Sequence, residues 1–195
     1  MQIATGFAKG RKLIYPTLQH KHHDRIRPTK AIVRQAIFNT LRPYIEGARV
    51  ADLFAGAGSL GLEALSAGAR HVVFVECDPA VLRYLRANCQ PFGDRISLVQ
   101  GRIPGILKRL SGMRFDIVLA DPPYRQGLGP RTLEAVVDLD LLAPGGLFVL
   151  EHSKQDRVTS CDGLSLLRQK VHGDTVITVY QRSNDMKQSH AAEAR

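Results

Sequence analysis

Val50-Ala51-Asp52-Leu53-Phe54-Ala55-Gly56-Ala57-Gly58-Ser59-Leu60-Gly61 is the stretch on which the reading of this 195-residue chain turns. An apolar strand, ARVADLF, runs into a glycine-rich turn, and LGLEALSAG follows with helical spacing of its apolar residues. Gly56 and Gly58 let the backbone turn sharply beside a ligand, and Gly61 permits a helix to pack closely on a strand. Outward from this unit the chain keeps alternating. HVVFVE, RISLVQ, RFDIVLA and GGLFVLEH read as strands; PAVLRYLRANC, RIPGILKRL and a segment near TLEAVVDLDLL read as helices. Such alternation predicts a parallel sheet covered on both faces. LSLLRQKV and TVITVYQ, joined by His172-Gly173-Asp174, add a closing hairpin and with it an antiparallel strand.

The expected fold is therefore α/β and Rossmann-like, with a mostly parallel sheet and a final antiparallel strand. Residues 46–182 form its main domain. Residues 1–45 read as a basic extension: a hairpin or arm over 6–16, a polar loop, and a helix capped by Thr29 and closed by Pro43 and Gly47. Residues 183–195 read as a polar, disordered tail.

Composition narrows the function classes. No run of about 18 apolar residues occurs, and the N-terminus lacks an apolar signal core, so a cytoplasmic location is expected. Cys77, Cys89 and Cys161 stand far apart, which suits neither a zinc site nor a disulfide scaffold. The net charge of +9 is uneven: residues 1–49 hold ten Lys/Arg against two acids, and the rest seventeen against sixteen. A block of this kind is an electrostatic footprint for phosphate; alone it is better explained by a solvated arm, and a nucleobase-modifying site elsewhere in the chain reverses that balance. Its candidate nucleic-acid contacts are Lys9, Arg11, Lys12, Arg25, Arg27, Thr29, Lys30 and Arg34, with Arg125 farther on. His20, His22 and His23 lie among these cations, which would repel a metal ion, so no metal site is expected.

Gly-x-Gly-x-x-Gly alone does not discriminate among nucleotide cofactors. Glu76, at the end of the second strand, can accept from a ribose diol in any of them. Asp52 does discriminate, because a carboxylate four residues before Gly56 suits a cationic or amino group and repels a pyrophosphate. S-adenosyl-L-methionine carries a sulfonium and an ammonium and no phosphate. The candidate cofactor contacts are Asp52, Phe54, Ala55, Gly56, Gly58, Gly61, Glu76, Cys77, Gly101 and Arg102. Arg102 stands where an acid or Asn usually receives adenine, which leaves backbone groups or Gln100 to read that ring.

Asp121-Pro122-Pro123-Tyr124 follows RFDIVLA at its carboxyl end, where open α/β sheets bind ligands. An exocyclic base amine is a poor nucleophile because its lone pair is conjugated with the ring. With one N–H accepted by the Asp121 carboxylate and one by the Pro122 carbonyl, the nitrogen can pyramidalise toward a methyl donor. The two prolines stiffen the backbone that aims these acceptors, and Tyr124 offers a face for an extruded base. Elsewhere in a chain Asp-Pro-Pro would read as a turn; here, sixty residues after Gly61, the catalytic reading is preferred.

With these residues identified, the chain resembles the bacterial 16S ribosomal RNA guanine-N2 methyltransferase family over about residues 6–182. The resemblance rests on Lys9-Gly10-Arg11-Lys12-Leu13, on Arg27-Pro28-Thr29 leading into Val33-Arg34-Gln35-Ala36-Ile37-Phe38-Asn39, and on DLFAGAGSLGLEALSAGA and DPPYRQGL. Gln35 departs from the Glu common in that family. The resemblance implies a seven-stranded sheet and a monomer acting on 16S rRNA in an assembling or assembled small ribosomal subunit. Asp/Asn-Pro-Pro-Tyr/Phe is shared with adenine-N6 and cytosine-N4 methylases, so an amino-methyltransferase of that kind, on DNA or RNA, is the alternative. A nicotinamide dehydrogenase is disfavoured by Asp52, and a non-catalytic RNA-binding factor by the intact Asp121 and Tyr124.

Overall fold

The computed structural model describes residues 1–16, 31–124, 126–156 and 161–184. Its order is α1 (Ala31–Leu41), β1 (Arg49–Asp52), α2 (Ser59–Ser66), β2 (His71–Glu76), α3 (Pro79–Cys89), β3 (Ile96–Gln100), β4 (Phe115–Ala120), α4 (Leu128–Asp138), β5 (Leu142–Ser153), β6 (Leu164–His172) and β7 (Thr175–Arg182). The seven strands form one sheet in the order β3-β2-β1-β4-β5-β7-β6. β1 through β5 pair in parallel, and β7 inserts antiparallel between β5 and β6.

The alternation of side chains along each strand divides the core. Val50, Val72, Phe74, Ile117, Leu119, Leu147 and Val149 face α1, α2, α3 and the N-terminal arm. Ala51, Val73, Val75, Val118, Phe148 and Leu150 face α4 and the segment after β3. Helix positions follow from local chemistry. Asp78 caps α3 by accepting from Ala80 N–H at 2.8 Å, with Pro79 entering the first turn. The segment RIPGILKRL makes only a six-residue 3₁₀ turn, Gly105–Leu110, where the sequence reads as a short helix; Gly105 weakens a longer one.

The arm begins earlier than the expected 6–16. Gln2 pairs antiparallel with Lys12, and Ile3 N–H donates to Arg11 O. Ile3 and Leu13 are buried; an isolated Ile beside the chain start gives no periodic signal. The turn between them lies on α2. Ala4 N–H, Thr5 N–H and the Thr5 hydroxyl all donate to the Glu63 carboxylate at 2.7–3.1 Å. Gly6, at φ +73, passes so close that a Cβ would lie 1.5 Å from Ser66 O, so no larger residue fits there.

Arg34 is the clear correction. The sequence places it on an RNA-facing surface, yet it is 4% exposed. Its Nε stands 3.4 Å from Glu63 Oε2, and its Nη2 donates to Gln2 O at 3.0 Å. Burying Glu63 under the arm demands a cation beside it, and Arg34 supplies it. It is an internal strut. Arg25, Arg27, Thr29, Lys30, Arg125 and the histidine cluster lie outside the described residues, as do 185–195.

Candidate active site

The carboxyl ends of β1, β2 and β4 bring three acids together. β1 pairs with β2 on one side and β4 on the other, so the strand order changes direction at β1, the place where open α/β sheets form their ligand crevice. Asp52 ends β1 and is 1% exposed. Its Oδ2 accepts from Gly61 N–H at 2.8 Å, which pins the start of α2 to the strand. Its Oδ1 is buried with no well-formed hydrogen bond among the described residues, the Phe54 backbone N–H giving only weak support to the carboxylate. Burial raises the Asp52 carboxyl from 3.8 to about 7, the Gly61 bond opposes this, and the charges of Asp121 and Glu76 push it further up. A buried acid held near neutrality, with one oxygen unsatisfied, is suited to a positive donor supplied by a ligand.

Glu76 bridges two loops. Its Oε2 accepts from Gly56 N–H at 2.9 Å and its Oε1 from Asp78 N–H at 2.8 Å. Each oxygen retains a lone pair, so the carboxylate can still accept from a diol. Gly56 has open space where a Cβ would point, whereas a Cβ at Gly61 would lie 2.2 Å from the Phe74 ring. Of the turn glycines, Gly56 borders the crevice; Gly58 and Gly61 are buried and shape the loop from behind. Ala55 is buried and donates its N–H to Val75 O, and Phe54 is half-buried beside it. Gly101 donates to Glu76 O, while Cys77 and Arg102 are exposed, with Arg102 close enough to lower the Cys77 thiol that burial and Glu76 raise.

Asp121, Pro122, Pro123 and Tyr124 leave β4 at the same end. The Tyr124 hydroxyl donates to Glu151 Oε1 at 2.9 Å and meets Thr175 Oγ1 at 2.9 Å. Burial, countered by Thr175 and reinforced by Glu151, holds this phenol above its ordinary range, so it stays protonated. The ring is thus fixed by its far end, from β5 and β7. Sequence patterns do not single out Glu151 and Thr175; an acid inside the apolar run GGLFVLEH is the available signal. Nor do they single out Asn88, 4% exposed on α3, which exchanges two hydrogen bonds with Ile14 and donates to Ala57 O at 2.9 Å. Asn88 ties the arm to the glycine turn.

The family model described as "Conserved hypothetical protein 95" matches residues 1–181. The chain belongs to that family. It is 32% identical over 185 residues to the Ribosomal RNA small subunit methyltransferase D of Haemophilus influenzae, covering 93% of both chains. To the protein of the same name from Escherichia coli it is 34% identical over 184 residues, 93% of this chain and 90% of that one. A solved structure of a putative methyltransferase from Escherichia coli superposes with a TM-score of 0.80 at 34% identity, covering 95% of this chain and 99% of the other. The architecture is that of the Rossmann-like class I methyltransferases, as the sequence predicts.

Proposed function

We propose that this chain moves the methyl of S-adenosyl-L-methionine to the exocyclic N2 amine of one guanine in 16S rRNA of the small ribosomal subunit. The observation that carries the reading is that β4 leads into Asp121-Pro122-Pro123-Tyr124 at the same edge of the sheet where β1 and β2 end in Asp52 and Glu76. The names of the relatives support ribosomal RNA as substrate, and the basic arm supports a polyanion.

The cofactor supplies an electrophilic methyl whose transfer discharges a sulfonium. Asp52 Oδ1 and Glu76 fit its amino and ribose groups, and Gly56 leaves room for it. On the substrate side Tyr124 stacks on the extruded guanine, its ring held still by Glu151 and Thr175. Asp121 and the Pro122 carbonyl each accept one N–H of the amine, freeing the nitrogen lone pair. Asp121 would then take the proton that the amine releases on methylation and pass it to water. Catalysis is alignment and electrostatics. The alternative, an adenine-N6 or cytosine-N4 amine, uses the same four residues.

Small subunits lacking the modification, incubated with methyl-labelled cofactor in a cytoplasm-like buffer, test the proposal. Nucleoside analysis should return N2-methylguanosine. Label in N6-methyladenosine or N4-methylcytidine would move the assignment to the alternative.

A further inference from the structure

At the opposite end of the sheet, the amino ends of β1, β2 and β3 carry arginines. Arg49 opens β1, Arg70 and His71 open β2, and Arg95 precedes β3. With Asp94 they line a shallow, open cleft of about 410 Å³. None of these three guanidiniums is in an ion pair with a described carboxylate, unlike Arg34 with Glu63 or Arg114 and Arg182 with Asp140. Asp116 at the rim is engaged by the Arg49 backbone N–H at 2.7 Å. Desolvation, with Arg49 and Arg70, lowers the His71 imidazole below its ordinary range, so the ring is a neutral hydrogen-bonding group joined to Ser97 Oγ at 3.0 Å.

Beside this cleft stands an exposed aromatic ring. Phe7, at the turn of the arm, is 63% exposed. Its edge meets Phe92 at 5.7 Å and 62°, and the Arg95 guanidinium sits 4.8 Å from its centroid. Arg95 therefore belongs to both the cleft and the ring. Lys9 and Arg11, exposed on the same turn, extend the positive surface. A fixed aromatic face next to three guanidiniums and a single carboxylate, Asp94, a net positive cluster, is chemistry that takes a single-stranded nucleotide, base on the ring and phosphates among the cations.

We infer that Phe7, Arg49, Arg70 and Arg95 form a second contact surface for substrate RNA, at the end of the sheet away from the methyl-transfer crevice. The inference rests on the reading of the substrate as RNA. β2 runs from this surface to Glu76, a separation of roughly 17 Å at about 3.3 Å per residue. An RNA held here would be anchored beside the arm while the target nucleotide reaches around to Tyr124. A substrate of only a few nucleotides, too short to span the sheet, would leave the surface unused.

The test is equilibrium binding of full-length protein to a 16S rRNA transcript across a salt series, beside methylation of unmodified small subunits. Combined Arg70→Ala and Arg95→Ala should weaken transcript binding about tenfold or more. The log–log salt slope should flatten by roughly 1.5, about 0.7–0.9 for each phosphate no longer neutralised. In the assay the same change should raise KM for subunits more than it lowers kcat. Arg114→Ala removes a cation at the same end of the sheet but outside the cleft, and should leave affinity and slope as in the wild type. Phe7→Leu keeps the apolar packing on Phe92 but not the stacking face, so it should bind as weakly as Phe7→Ala. Wild-type affinity and slope in the double variant, with its melting temperature unchanged, would overturn the inference. Recovery of affinity by Phe7→Leu would overturn the stacking part. Failure of the wild type to methylate any RNA would sink the proposed function instead, a result the binding curves do not depend on.

Discussion

The two ends of the parallel sheet carry opposite charge on the same strands. β1 begins at Arg49 and ends at Asp52; β2 follows Arg70 and ends at Glu76; β4 leads into Asp121. At the carboxyl end Asp52 and Glu76 are tied to backbone N–H groups, and Asp52 is held near neutrality. At the amino end the arginines are open and have no ion-paired acids among the described residues. On the proposed function, one sheet would serve two ligands of opposite charge at separate ends. A small cation suits the desolvated acidic crevice, where a single charge is felt strongly. A polyanion suits the solvated basic rim, where many weak contacts add and counterions are released.

The largest effect should come from breaking the acidic end at Asp121, the residue proposed to hold the amine. Asp121→Ala should lower the rate of methyl transfer by about 10²–10³, the scale of removing one alignment partner in a dry site. Cofactor affinity by calorimetry should change little, because Asp52 and Glu76 remain. A parallel loss of cofactor binding would mean that Asp121 organises the crevice and does not act on the amine.

Breaking the basic side at the arm should come next. Lys9, Arg11 and Lys12 are all exposed. Their joint replacement by Ala should cost RNA affinity about tenfold to a hundredfold and flatten the salt slope by roughly 2–3. Cofactor affinity should stay the same if the two ends act independently. A shared loss would point to Asn88, which links the arm to the glycine turn.

The third prediction sharpens the contrast through pH. Asp52 is raised from 3.8 to about 7 by burial, so the folded chain holds its proton more tightly than the unfolded chain does. Its contribution to stability is fully present below about pH 4 and is lost as pH rises through about 7. Urea unfolding of the wild type and Asp52→Asn at pH 5, 6, 7 and 8 isolates this contribution: the wild type should lose ground relative to Asn as pH rises. S-adenosyl-L-methionine should show the opposite trend, binding more tightly from pH 5 to 7, because its ammonium, still protonated there, favours the carboxylate. A flat difference between the two proteins would show that Asp52 does not titrate in this range.

Tyr124→Phe should have the smallest effect. The ring stays, but its bonds to Glu151 and Thr175 are removed. About 1 kcal/mol of positioning, or roughly fivefold in kcat/KM, is the expected cost. Tyr124→Ala should be much worse. Equal damage from both would place the hydroxyl, and not the stacking face, at the centre of its role.

Much of this molecule is legible in its sequence alone. Strand and helix alternation, the Asp52–Gly61 turn and Asp121-Pro122-Pro123-Tyr124 are local patterns, and each obeys a period or a turn chemistry that neighbours in sequence supply. The strand-end arginines are equally visible as residues, but only the strand order shows that they converge. The fate of Arg34 cannot be read locally. It sits among cations in sequence, and what removes it from the surface is Glu63, 29 positions away, buried when the arm folds over α2. Gly6 is required for the same reason, since its conformation is dictated by the Ser66 carbonyl it crosses. Asn88, Glu151 and Thr175 likewise acquire their roles only from partners brought in by the fold. Local sequence determines which elements form and which residues carry chemistry, because propensity and periodicity act over a few positions. Tertiary structure decides which charges remain free, because desolvation and pairing depend on what packs against a group.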